Sequence, residues 1–275
     1  MKKKPLYLGW PHNWSDPSAR REGKPRNRGV SMVIDKGLGL MQMHDLLNVA
    51  ADHIDCYKLG FGTSVLYPLK ILQQKVEMAV ESRIDIMPGG TFFELASLQS
   101  PFAQYLQMIR QLGFNAIEIS DGTFPLGREE RTKAISLAAE AGLTVYAEFG
   151  KKAADFRAEL ALLVETVEQD LQAGAAYVIV EGRESGTVGI YNEKGETDAR
   201  FLQQVVEAAG PLSERLIWEA PKKEQQVALI QTLGTDVNLG NIAPADILSV
   251  ESLRRGLRSD TAPFVLQERK NGSCD

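Results

Sequence analysis

Residues 143–150, LTVYAEFG, are the stretch from which the fold is read. Side chains alternate faces along a strand, so Thr144, Tyr146 and Glu148 point one way and Val145, Ala147 and Phe149 the other. The second set is wholly apolar and suits packing against helices. The first set ends in a carboxylate at the C-terminal tip. Segments with apolar residues at helical spacing flank this run, at 127–141 and 154–173, and a second apolar run, YVIVEGRE (177–184), follows. A strand, a helix and a strand in succession predict parallel pairing, which needs a crossover between its strands.

The same alternation fills the chain on both sides. Strand-like runs fall at SMVIDKG (31–37), HIDCYKLGFG (53–62), RIDIMPGG (83–90), AIEISDG (116–122), RLIWEAP (215–221) and DVNLGNI (236–242). With the two above they make eight. Helical patterns lie at 41–52, 64–82, 101–112, 197–209, 222–233 and 244–256 besides the two already named. Eight β-then-α units with near-continuous apolar strands predict an α/β fold, a single-domain (β/α)8 TIM barrel over 31–261. Residues 1–30 are expected to form an irregular N-terminal lead-in, and 262–275 a loosely held C-terminal tail. A doubly wound open sheet is the competitor, but SMVIDKGLGL lacks the GxGxxG spacing that its first turn would carry.

Composition narrows the function. Across 275 residues, 44% hydrophobic and 24% charged, the chain is ordinary globular material, which excludes disordered and collagen-like classes. Its 31 basic and 36 acidic residues give a net charge of −5, against a nucleic-acid partner. Met-Lys-Lys-Lys at the start is followed by no apolar h-region, and no run of about 18 apolar residues exists, so neither a signal peptide nor a membrane span is expected. Cys56 and Cys274 make no disulfide framework, and a cytoplasmic setting is expected.

Polar residues gather at C-terminal strand ends: Asp35, Lys58, Glu118 with Ser120 and Asp121, Glu148, Glu181 with Arg183 and Glu184, Glu219, and Asn238 with Asn241. Barrel active sites are built at that end, and Asp35, Lys58, Glu181 and Asn238 are expected in the mouth. Any single one of these charges is as readily explained as loop solvation. Five or more acids on one mouth would repel unless cations compensated them. Lys58, Lys151 and Arg183 supply part of that charge. A divalent metal supplies the rest, and carboxylate oxygens favour Mg²⁺ or Mn²⁺ over zinc. His12, His44 and His53 fall away from the mouth, so proton transfer is left to a lysine or a carboxyl group.

Glycine-rich turns follow three strands. Lys-Leu-Gly-Phe-Gly-Thr-Ser (58–64) and Asn-Leu-Gly-Asn-Ile (238–242) enter helices and offer backbone N–H groups to a phosphate or sulfonate. Met-Pro-Gly-Gly-Thr (87–91) offers a third close approach. The loop 182–195, four glycines around an exposed tyrosine, is expected to be a mobile lid.

These motifs, in their order, resemble one family. PRNRGVSMVIDKG (25–37), KLGFGTS (58–64), PGGTFFE (88–94), GFNAIEISDG (113–122), EGRESGTVGIY (181–191), IWEAPKKEQQ (217–226), NLGNI (238–242) and LRRGLRSDT (253–261) are similar to phosphosulfolactate synthases over residues 25–262. The resemblance implies a barrel enzyme, a carbon–sulfur lyase, and a homo-oligomer is expected because barrel enzymes commonly form one. The enzyme would add sulfite to phosphoenolpyruvate with Mg²⁺ to give (2R)-phospho-3-sulfolactate. The implied setting is coenzyme M biosynthesis, or sulfolactate formation in spore-forming bacteria.

On that resemblance Glu148, Glu181 and Glu219 are the expected metal ligands, with Asp35 as a fourth. Lys58 or Lys151 would donate the proton. Arg26, Arg183 and Asn238 would hold anionic groups, and Gly62, Thr63, Gly240 and Asn241 the phosphate. Two other classes stay open: a Schiff-base lysine aldolase, and a non-catalytic stress-associated or ligand-binding member of the same family.

Overall fold

The computed structural model describes residues 10–151, 156, 158–182, 189–192 and 194–271. Among them run eight strands: β1 (Ser31–Asp35), β2 (Cys56–Leu59), β3 (Asp85–Pro88), β4 (Ala116–Ile119), β5 (Thr144–Phe149), β6 (Tyr177–Val180), β7 (Leu216–Glu219) and β8 (Asn238–Ile242). Eleven helices accompany them: α1 (His12–Ser15), α2 (Leu40–Ala50), α3 (Leu69–Glu81), α4 (Gly90–Ser97), α5 (Phe102–Gln111), α6 (Arg128–Glu140), α7 (Leu160–Gln172), α8 (Ala199–Ala209), α9 (Lys223–Leu233), α10 (Ile247–Arg254) and α11 (Ala262–Asn271).

The strands are parallel, in the order β3-β2-β1-β8-β7-β6-β5-β4, so the first and last strands of the chain pair and the sheet curls on itself. At the remaining seam, between β3 and β4, a side chain spans the gap. Asn115 accepts from the Ile86 N–H at 2.7 Å and donates to the Ile84 carbonyl at 3.2 Å. The result is the expected (β/α)8 barrel.

Two apolar layers follow from strand alternation. Met32, Cys56, Met87, Ala116, Tyr146, Ile179 and Ile217 fill the inside of the barrel. Val33, Leu59, Ile117, Val145, Val180, Trp218 and Leu239 face the helices. Gly240 belongs to the interior: a Cβ there would lie 2.7 Å from Met32 Cε and 3.0 Å from Ile217 Cγ2. Its lack of a side chain is therefore fixed by packing.

Three local departures from the sequence have physical causes. Met-Pro-Gly-Gly-Thr reads as a turn, yet α4 begins at Gly90. A Cβ at that position would meet Ser120 Cβ at 2.8 Å, so the glycine marks a close helix–strand approach. The tail from 262, expected to be loose, is helical through Asn271, with Val265 buried against Gly256. The described part of the lead-in, 10–30, is irregular apart from α1, but polar contacts tie it beneath the barrel. Arg21 donates to Glu251 at 2.9 Å, and Lys24 donates to the Ile54 carbonyl at 2.6 Å.

Asp35 needs the largest correction. In parallel strands paired residues face the same side, and Asp35 pairs with the outward Leu59, whereas Ile34 pairs with Lys58. Asp35 therefore points away from the mouth, into the layer between strands and helices. There it is fully buried and accepts from Lys75 Nζ at 2.6 Å, Tyr57 OH at 2.8 Å, and the Gly37 and Leu38 amides at 2.7 Å each. Burial opposes its charge, but the bonds from Lys75, Leu38 and Gly37 outweigh that and hold the carboxyl below its ordinary value of 3.8. This contribution to stability is complete above that value and is lost as the pH falls below it. Lys75→Met leaves the carboxylate without its cation. Urea unfolding is expected to show a loss of about 3 kcal/mol or more, and a loss under about 0.5 kcal/mol would contradict a buried ion pair.

Candidate active site

The inward parity of four strands brings carboxyl groups together at the C-terminal end of the barrel. Glu118 lies on β4, Glu148 on β5, Glu181 just past β6 and Glu219 at the end of β7. Each is at most 3% exposed. Lys58, on β2, reaches across the interior to two of them. Its Nζ lies 3.1 Å from Glu118 Oε1 and 3.1 Å from Glu219 Oε1. The outer oxygens of that pair are held by backbone: Gly90 N–H donates to Glu118 Oε2, and Gly182 N–H to Glu219 Oε2 at 3.1 Å. Burial opposes the Lys58 charge, but Glu118, Glu219 and Glu148 outweigh it and hold the ammonium well above its ordinary pKa.

The loop after β4 forms one rim of the mouth. Glu94 on α4 gathers it by accepting from Ser120 Oγ at 2.5 Å and from the Gly122, Thr123 and Phe124 amides at 3.1, 2.8 and 2.7 Å. The loop presents Asp121, which takes two bonds from Lys151 Nζ, at its carbonyl and at Oδ2, each 2.8 Å. Arg131 on α6 backs this arrangement. It donates to Asp121 Oδ1 at 3.2 Å and to the Glu148 carbonyl at 2.9 Å, and pairs with Asp170 on α7 at 2.6 Å.

The loop after β2, two strands round the barrel from β4, forms another part of the rim. Phe61 and Gly62 both adopt left-handed backbone, φ 55° and 67°. Little surrounds Gly62, the nearest atom to an added Cβ being 4.0 Å away, so conformation rather than space selects glycine there. The turn delivers Thr63 Oγ1 and Ser64 Oγ as buried hydroxyls with no hydrogen-bond partner. Asn241, at the end of β8, also has positive φ, 52°, and its buried Oδ1 lacks a partner too.

The structure thus brings Lys58, Glu148, Glu181 and Glu219 together, with Lys151, Gly62, Thr63 and Asn241 at the end of the barrel that they occupy. It moves others away. Asp35 faces the helix layer, as described. Arg26 lies at the opposite, N-terminal end, where it donates to the Asp52 carbonyl and faces Asp55 at 3.4 Å. Asn238 is also at that end, tying the Val30 amide to the Glu214 and Leu216 carbonyls. Gly240 packs inside the barrel below the carboxyl layer. Arg183 and half of the expected lid, 183–188 and 193, lie outside the described residues. The tyrosine expected to be exposed there, Tyr191, is buried, and its OH donates to the Glu219 carbonyl at 2.5 Å.

Sequence reasoning gave Glu118 no role, though Ala116, Glu118 and Ser120 share the inward parity that reveals it. Glu94, Arg131 and Asp170 carry no local signal, because helix residues far apart in sequence create their partnerships. Among the described residues no three His, Cys, Asp or Glu side chains stand as a ready-made metal cage. No helix among them is long and apolar enough to cross a membrane.

The sequence model of the (2R)-phospho-3-sulfolactate synthase (ComA) family matches residues 19–260. The chain belongs to that family. A phosphosulfolactate synthase of Methanothermobacter thermautotrophicus is 42% identical over 244 residues, covering 88% of this chain and 94% of that protein. One from Bacillus subtilis is 37% identical over 243 residues, covering 88% and 95%. Among solved structures, the YdjI aldolase from Escherichia coli K12 superposes with a TM-score of 0.54 at 13% identity, covering 94% of both chains, a likeness of fold alone. The synthase-family match spans every strand and both rims of the mouth.

Removing the Glu94 carboxylate frees three amides on one rim. Glu94→Ala is expected to speed hydrogen exchange at Gly122, Thr123 and Phe124 by about tenfold or more, with core-strand amides unchanged. Unchanged exchange at those three would contradict its role as a clamp.

Proposed function

We propose that this chain adds sulfite to phosphoenolpyruvate, forming (2R)-phospho-3-sulfolactate. The observation that carries the proposal is the enclosed layer of Glu118, Glu148, Glu181 and Glu219 around Lys58, in a chain of the synthase family. Sulfite brings its own electron pair to the methylene carbon. A carbon–sulfur bond forms, the π electrons move toward the carboxylate-bearing carbon, and that carbon takes a proton. No protein nucleophile and no redox partner are needed. The site must bind anions, place charge and deliver one proton from one face.

This chain's residues divide those tasks. The Thr63 and Ser64 hydroxyls offer unused donors to a phosphate, and Asn241 stands at the end of β8. Lys58 is the proposed proton donor, held inside the barrel within reach of two carboxylates. Lys151 sits half-exposed on the rim, bound to Asp121, and is proposed to meet the incoming anions.

The hard oxygens of the four buried carboxyl groups around Lys58 suit Mg²⁺. Glu148, Glu181 and Glu219 would hold it. Mg²⁺ characteristically uses few protein carboxylates and completes its shell with water and substrate. When bound, it supplies stabilisation of negative charge on the substrate carboxylate. A cytoplasmic homo-oligomer is part of the same proposal, the setting from the sparse cysteines and the assembly from the common habit of barrel enzymes.

Purified protein with phosphoenolpyruvate, sulfite and Mg²⁺ is expected to give a new phosphate-ester signal by ³¹P NMR, abolished by EDTA. Glu181→Gln is expected to lower turnover by about 100-fold while circular dichroism stays unchanged. Product formed equally well with EDTA would remove the metal from the proposal. No product under any divalent metal would remove the reaction.

A further inference from the structure

A cavity of about 550 Å³ opens at the end of the barrel opposite the carboxyl layer. The lead-in, the turns before β2 and β3, and the C-terminal end of α10 build its wall. Five permanent cations line it: Arg21, Lys24, Arg26, Arg83 and Arg255. Four acids line it as well. Asp16 accepts from Ser18 Oγ at 2.5 Å, and Glu22 pairs with Arg28 at 3.2 Å. Asp52 and Glu81 remain, both exposed at the edge.

Part of this charge serves the fold. Lys24 donates to the Ala51 and Ile54 carbonyls, and Glu251 binds Arg21 and Arg255 at 2.9 and 2.7 Å. The Arg26 guanidinium also faces Asp55, at 3.4 Å. Arg21 and Arg26 side chains are 5% and 2% exposed, yet Nη2 of Arg21 and Nη1 of Arg26 have no hydrogen-bond acceptor. Buried guanidinium N–H groups without acceptors are costly. Burial lowers the Arg26 pKa, and its neighbours Arg21 and Arg255 press the same way against Asp55 and Glu251. An anion would relieve both conditions.

We propose that this cavity is a second binding site, independent of the mouth, for a small phosphorylated acid. The cavity is larger than one inorganic phosphate requires and falls in the usual size range of small-molecule pockets. No Trp, Tyr or Phe lines it, so it offers no platform for a nucleobase. Arg83, at the exposed edge, meets the ligand first, and Arg26 forms the floor.

Inorganic pyrophosphate is the probe, titrated calorimetrically into the full chain at low ionic strength. Arg83→Gln is expected to weaken one saturable binding event about tenfold, the worth of one charged hydrogen bond, with kcat unchanged. Arg26→Gln is expected to weaken the same event, and Arg83→Gln keeps the test open if the deeper variant fails to fold. Thr63→Val, which alters the mouth, should leave this event intact while raising KM for phosphoenolpyruvate. The site is refuted if Arg83→Gln titrates like the wild type, or if Thr63→Val abolishes all pyrophosphate binding. Neither result bears on the synthase reaction, which is read separately from kcat.

Discussion

The ammonium of Lys58, shared between Glu118 and Glu219, is the interaction on which the barrel mouth depends. Four carboxyl groups cannot be enclosed at the top of a barrel without a cation among them. A side chain from β2 that reaches both β4 and β7 supplies one and crosses the interior as it does so. The surrounding backbone adapts to this bridge. Gly90 and Gly182 turn their amides onto the two carboxylates, and a side chain on either glycine would collide with its neighbours. The charge layer is thus held from below by the strands and from the rim by amides.

The two ends of the barrel do different work with the same residue types. At the N-terminal end, several buried polar groups tie strands together. Arg254 donates to the Thr235, Val237 and Val30 carbonyls, Asn238 ties three strands, and Tyr146 donates to Asp85 at 2.8 Å. At the C-terminal end, charged groups meet other charged groups, and the Thr63 and Ser64 hydroxyls have no partner at all. Groups already saturated stabilise a fold. Groups facing one another or left unused are available to a ligand. Catalytic machinery on the C-terminal face and stabilising contacts below is the division that this barrel architecture favours.

Strand parity made much of this legible from sequence. The alternation in 143–150 placed Glu148 inward, and the same rule placed Lys58 and Glu219 correctly. It failed where position along a strand was taken for direction. Asp35 ends β1, but its parity matches Val33, not Ile34, so it faces helices. Asn238 has inward parity but begins β8, so it lies at the floor. Arg26 and Tyr191 sit outside regular elements, where no periodicity constrains them. Helix α4 was hidden because Gly-Gly is the signature of a turn, whereas here it serves a close approach to Ser120. Glu94, Arg131 and Lys75 act through tertiary partners that no local pattern encodes.

The most direct test of the central role given to the bridging lysine is steady-state kinetics of Lys58→Met, a neutral side chain of similar length. With a folded protein by circular dichroism, kcat for phosphosulfolactate formation is expected to fall by at least about 100-fold, the scale of losing a positioned proton donor. A folded Lys58→Met protein that keeps half or more of the wild-type kcat would contradict it, and would shift the proton transfer to the rim.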